Sequence, residues 1–182
     1  MVRKLKFHEQ KLLKKVDFIS WKVDNYGKEA KILRKFHIRK AADYTKYNKL
    51  SREVRELYEK ISKLENTDPF KKEAGTMLVE KLYHMGVVKH NLNLEVASKV
   101  SASSFCKRRL PVVMVKSRLS ENLKNATDLI EQGHVRVGPD MITDPAFLVT
   151  RNMEDFVTWV DSSKIKQHVL AYNDQRDDFA LA

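Results

Sequence analysis

Residues 107–138 hold the strongest constellation of side chains that could grip an anion. Lys107, Arg108 and Arg109 stand in a row, Lys116 and Arg118 follow on the same expected helix, Lys124 sits on the next, and His134 and Arg136 lie two apart beyond it. Arginine forks bind phosphate bidentately, and helix N-termini add N–H donors and positive potential. Such a surface holds a nucleic-acid backbone and reads RNA shape rather than base edges. An ordinary solvated basic face has the same composition, and spacing alone leaves both readings open.

Other chemistry fails on inspection. Gly133 and Gly138 have the spacing of a phosphate loop, but Pro139 stands where lysine is required and no helix follows. Ser104 and Lys107 match a Ser-Lys nucleophile pattern without its companion motifs. His8, His37, His84, His90, His134 and His168 are scattered without metal-ligand spacing. The expectation is a non-enzyme with no catalytic residue, no metal, no cofactor and no small-molecule substrate.

Charge supports a polyanionic partner. The 182 residues carry 35 Lys and Arg against 24 Asp and Glu, a net charge of +11. Residues 1–40 alone hold 13 basic and 4 acidic side chains, whereas Asp174, Asp177 and Asp178 surround one Arg176 near the end. A basic arm that meets nucleic acid explains this asymmetry. No run approaches the roughly 18 apolar residues of a membrane helix, and Met1–Lys6 has no apolar stretch behind its charges, so neither a membrane nor a secretory signal is expected. The single Cys106 reads as a small buried apolar residue in a reducing compartment.

The elements that must position these groups follow from periodicity. Residues 1–22 mix lysines with Leu5, Leu12, Leu13, Val16, Phe18, Ile19 and Trp21. They read either as a short self-packed helix or as an arm that orders against RNA or protein. Tyr44, Tyr47, Leu50, Val54, Leu57, Tyr58, Ile61 and Leu64 make a core stripe on a helix over 43–64, with Asp43 as its cap. Asp68 and Pro69 start the next helix and Gly86 ends it. Residues 87–100 read as a linker. Ser101 or Ser103 caps a helix to Arg118 that Pro111 must kink or delay, and Ser120 caps another that Gly133 ends. Period two then marks 134–137 and 141–142, with short strands at 147–149 and 156–159. The fold class is α+β, a helical N-terminal region followed by two helices and a small antiparallel sheet. The expected organisation is a basic arm over 1–40, a helical region over 41–100, an RNA-binding module over 101–170 and an acidic tail over 171–182.

The motif Arg108-Arg109-Leu110, then Leu119, Asn125-Ala126-x-x-Leu129-Ile130-x-x-Gly133-His134-Val135-x-Val137 and Pro145-Ala146-Phe147-Leu148-Val149 resembles the RNA-binding domain of the ribosomal protein S4 family. Pro111 and Gly138-Pro139 depart from the family's usual Asp and Asn-Gly. Lys46 to Arg55, Thr67 to Lys72 and Leu82 to Val88 resemble the helical region that precedes that domain in the eukaryotic small-subunit protein. Met1 to Phe18 and Asn152 to Val160 are instead similar to the nucleolar branch of the family, found in the U3 small nucleolar ribonucleoprotein. The resemblance implies a nuclear, nucleolar RNA-binding protein of the small-subunit processome that helps the snoRNA pair with precursor rRNA. It also implies two companions in that particle, a Brix-domain protein and an acidic scaffold protein. Two rivals stand beside this reading. One is a structural ribosomal protein of the same family. The other is an enzyme carrying the same module, for which no stretch here is long enough to hold a catalytic domain.

Overall fold

A computed structural model describes residues 3–15, 23–91 and 93–175. The chain divides into two compact units, Met1–Lys35 and Phe36–Ala182. The first holds α1 (Phe7–Lys15) and α2 (Val23–Lys35). Glu9 stands at the third position of α1. Its carboxylate accepts from the backbone N–H of Lys6 at 2.8 Å and from Arg3 at 2.6 Å, which satisfies one of the free donors at the helix start. Leu5, Phe7, Leu12 and Leu13 remain exposed, Phe7 by 79%. Val16, Phe18, Ile19 and Trp21 of the expected arm lie outside the described residues.

In the second unit α3 (Ala41–Ser62) packs against α4 (Pro69–His84), α5 (Glu95–Ser98) and α6 (Ala102–Cys106). The stripe on α3 is only partly core. Tyr47 and Ile61 are buried, but Leu50 and Leu57 are exposed. Asp43 is not the cap expected of it. Lys40 holds the N-cap position, and the Asp43 carboxylate in the first turn is drawn to Arg109, 66 residues away. The start of α4 is as expected, with the Asp68 side chain accepting from Phe70 N–H at 2.9 Å and Pro69 opening the helix. Its end is too. Gly86 takes φ +71, and Gly86 and Val87 donate back to the carbonyls of Tyr83 and Leu82. Residues 87–100 are more than a linker, since they contain α5 and bury Val88, Ala97 and Val100.

The helix expected from Ser101 to Arg118 is two helices, because Pro111 delays the second. α6 stops at Cys106 and α7 (Leu110–Lys116) starts with Pro111 in its first turn, where a missing N–H costs nothing. α8 (Leu123–Glu131) follows, capped at Asn122 rather than Ser120, whose hydroxyl donates instead to the Asn122 carbonyl. Gly133 at φ +75 ends it as expected. The sheet order is β2 (Asp140–Met141), β1 (Val135–Val137), β3 (Val157–Trp159), all antiparallel. Residues 147–149 form no strand. Leu148 makes one isolated bridge to Arg109, and the chain runs on into a 3₁₀ turn over Arg151–Phe156. Leu110, Val113, Met114, Ala126, Ile130, Val135, Val137, Val149 and Val157 form one core between the helix pair and the inner face of the sheet. α9 (Lys164–Tyr172), capped by the Ser163 hydroxyl, was not expected from the sequence and occupies part of the expected C-terminal tail. Residues 176–182 of that tail lie outside the described residues. No helix among the described residues is long and apolar enough to cross a membrane.

Candidate nucleic-acid interface

The residues expected to hold RNA fall into two groups, and the first is inside the protein. Arg109 is 2% exposed and Arg108 is 8% exposed. Arg109 donates from Nη1 to Asp43 at 3.2 Å and to the Tyr47 hydroxyl at 3.1 Å, and its guanidinium lies 5.8 Å from the Tyr47 ring centre. Tyr47 in turn donates to the carbonyl of Ala146 at 3.0 Å. Burial is the main reason the Tyr47 phenol is shifted up, opposed by the Arg109 charge. Arg108 donates from Nε to the Val149 carbonyl at 2.9 Å and from Nη1 to Glu154 at 2.8 Å. Its guanidinium leans on Gly86, where an added Cβ would stand 2.7 Å from the central carbon.

Neither fork faces a solvent-borne phosphate, which corrects the expectation that both do. The physical reason is the sequence around them. Phe105, Cys106, Leu110 and Pro111 are all buried, and of the three side chains between them Arg108 and Arg109 are carried inward while Lys107 stays exposed. A buried guanidinium must then find protein acceptors. With Arg151, which donates to the carbonyls of Tyr83 and Val88 and lies 4.1 Å over the Tyr83 ring, these arginines fasten the helical region to the α7–α8 module.

The second group stands at one end of the helix pair. The loop 117–122 joins the end of α7 to the start of α8, so Lys116, Arg118 and Lys124 are gathered there, all exposed. Among the described residues no hydrogen bond or ion pair holds the side chains of Arg118 or Lys124. Lys116 is paired to Glu154, whose carboxyl is held below its ordinary value by hydrogen bonds from Lys116 first and Arg108 second. Lys107 is exposed but sits before α7, at the far end from Arg118.

Two features distinguish this end. Arg118 has φ +60. It closes α7 as glycine closes α4 and α8, with Arg118 and Leu119 donating back to the carbonyls of Val115 and Met114. An L-residue there costs roughly 1–2 kcal/mol relative to glycine, and such strain collects at functional positions. The second feature is the polarity of α8. Its first turn has no acid and no side-chain cap and carries Lys124, although Glu121 lies just outside it. Its end carries Asp128 and Glu131. Both charges oppose the helix dipole. At the acidic end Arg39 pairs with Asp128 and Glu131 and compensates. At the basic end no ion pair holds Lys124 among the described residues.

His134 and Arg136 are not part of that cluster. His134 is half-buried with Nδ1 3.0 Å from the Ser163 hydroxyl. Arg136 lies on the outer face of β1, donating to Thr158 at 3.1 Å and to Asp161 at 2.7 Å. The roles of Asp43, Tyr47 and Glu154 were not visible in sequence. The signal for the first two was indirect, an arginine pair embedded in an apolar run that had to be neutralised from elsewhere. Among the described residues no group of three or more His, Cys, Asp or Glu is placed to hold a metal.

Two family descriptions match the chain. "Ribosomal protein S4/S9 N-terminal domain" matches residues 4–106 and "S4 domain" matches residues 108–155. The chain is 58% identical over 182 residues to the U3 small nucleolar ribonucleoprotein protein IMP3 of Mus musculus, covering 100% of this chain and 99% of the relative. It is 52% identical over 180 residues to the protein of the same name in Saccharomyces cerevisiae, covering 98% of each. To the small ribosomal subunit protein uS4 of Sulfurisphaera tokodaii it is 33% identical over 92 residues, 50% of this chain and 52% of the relative. To the uS4 of Sulfolobus acidocaldarius it is 26% identical over 149 residues, 81% of this chain, so the likeness to the ribosomal proteins is weaker and less complete than the likeness to the snoRNP proteins, which runs from end to end.

Proposed function

The chain belongs to the family of the U3 small nucleolar ribonucleoprotein protein IMP3, within the ribosomal protein S4 proteins, and on that premise we propose that it is a non-catalytic RNA-binding component of that particle, acting in ribosome biogenesis. The observation that carries the RNA-binding part is the basic end of the helix pair, where a strained Arg118 and a dipole-opposed Lys124 stand exposed, without a side-chain partner among the described residues. Phosphate oxygens suit both, since guanidinium and ammonium groups make charge-assisted hydrogen bonds to them. Lys107 and Lys116 extend the basic surface along α7, Lys116 after exchange of Glu154 for phosphate. His134 and Arg136 contribute at the sheet.

The finer reading is that the protein helps the snoRNA pair with precursor rRNA in the nucleolus. It would do so beside a Brix-domain protein and an acidic scaffold protein. The exposed Leu5, Phe7, Leu12 and Leu13 beside the lysines of α1 support a recruiting role for the first unit, because an apolar row left in water gains by docking on a partner. Gradient sedimentation of the tagged protein tests the assignment. Migration with large precursor particles containing the snoRNA is expected. Stoichiometric migration with mature small subunits would return the chain to a structural ribosomal role.

A further inference from the structure

Strand register places an aromatic ring where no core needs it. Val135 and Val137 of β1 point into the core, so Arg136 between them faces outward. Pairing sets Arg136 opposite Thr158 on β3 and Met141 on β2. The next step of the same register brings Gly138 opposite Phe156, with Gly138 N–H donating to the Phe156 carbonyl at 3.0 Å. Phe156 is 58% exposed. Nothing lies within 4 Å of where a Cβ on Gly138 would stand, so the turn opposite Phe156 is open to solvent. Along the same face the Arg136 guanidinium is held by Thr158 and Asp161.

The two residues that flank Phe156 border the basic end of the helix pair. A groove of about 450 Å³ is lined by Lys116, Ser117, Leu119, Glu154, Asp155 and Val157. It runs from the residues just before Arg118 to the two that flank Phe156. Glu154 in that groove is neutralised by Lys116 and Arg108. Asp155 is exposed, and a free carboxylate repels phosphate but accepts well from an exocyclic amino group.

We propose that Phe156 is a stacking platform for one unpaired RNA base, with the strand's phosphates at Lys116 and Arg118 and the Asp155 carboxylate at the base edge. The proposal rests on the RNA-binding reading above and adds to it Phe156, one residue beyond the matched S4 domain. A base fits better than a protein surface. Charged groups stand near the ring, Asp155 before it in the chain and Arg136 on the same face of the sheet, and every base offers a π-face.

The test uses the full chain with two hairpin RNAs of equal length, one fully paired and one with a single bulged 2-aminopurine. Wild type, Phe156→Leu and Phe156→Tyr are compared, with folding checked by circular dichroism. Phe156→Leu should weaken binding to the bulged RNA about tenfold and to the paired RNA by less than about twofold, the difference being one lost stack. Phe156→Tyr keeps the π-face and should bind as wild type does, with 2-aminopurine fluorescence quenched in the complex. Equal loss on both RNAs by Phe156→Leu, or an unquenched probe in the wild-type or Tyr complex, overturns the platform. Should Phe156→Leu fail to fold, the quenching with wild type and Phe156→Tyr decides alone. Binding of both RNAs by wild type with no effect of Phe156→Leu removes the platform only, whereas binding of neither removes the RNA reading itself.

Discussion

Replacing Arg118 by glycine should stabilise the protein and weaken its hold on RNA. Arg118 occupies the left-handed position that closes α7, at φ +60, and its side chain is exposed. Relief of the left-handed strain is worth roughly 1–2 kcal/mol, and the extra unfolded-state freedom of glycine takes back about half of that, so a net gain of about 0.5–1 kcal/mol is expected. The backbone hydrogen bonds of the cap, from Arg118 and Leu119 to Val115 and Met114, do not depend on the side chain and stay. The lost guanidinium removes one charge-assisted phosphate contact in solvent. That is about 1–2 kcal/mol, or roughly 5–30-fold in affinity. Urea unfolding followed by circular dichroism measures the first quantity, and fluorescence anisotropy with a labelled RNA measures the second across a salt series. The log–log salt slope should flatten by about 0.7 for one phosphate contact on a single strand. A fall in stability would mean the arginine side chain packs usefully in the fold. Unchanged affinity and slope would mean the strain serves something other than RNA.

Four further outcomes follow from the geometry. Arg109→Ala strands the partly buried Asp43 carboxylate and should cost about 3–5 kcal/mol of stability in urea, while the folded fraction keeps its RNA affinity. Normal stability with lost RNA binding would restore Arg109 to the interface. Gly86→Ala forces a Cβ into the left-handed region and against the Arg108 guanidinium, and should cost about 2 kcal/mol or more in the same assay. Burial pushes the Cys106 thiol up to about 11, so iodoacetamide at neutral pH should label it only on unfolding, as mass spectrometry can follow. Glu154 has its folded pKa below its unfolded one. Its contribution is therefore present above the unfolded value near 4.5 and lost as pH falls through the folded value, and Glu154→Gln should flatten that acid limb in pH-dependent urea titrations.

Local signals in the sequence were reliable at several helix ends, though not at Ser120, where Asn122 takes the cap position. Asp68 with Pro69, Gly86 and Gly133 marked helix ends from residue type alone, and the change to period two after Gly133 marked the sheet. What stayed hidden depends on distant partners. Asp43 has the chemistry of a cap but pairs across 66 residues. Residues 147–149 have strand character, but only Leu148 finds a bridge. Arg108 and Arg109 match the family motif, and motif letters do not tell whether an arginine faces solvent or an internal carboxylate. The exposed part of the site, Lys116, Arg118 and Lys124, was legible as a set of cations. Its two distinguishing features, the φ of Arg118 and the opposed dipole of α8, required coordinates.

Ultraviolet cross-linking of the protein in its native particle addresses the central claim most directly, with the bound RNA sequenced and the RNA-bearing peptides identified by mass spectrometry. The account predicts adducts on the segment from Lys116 to Lys124, with snoRNA and precursor rRNA as the recovered sequences. Adducts confined to other surfaces, or recovery of mature rRNA alone, would contradict it.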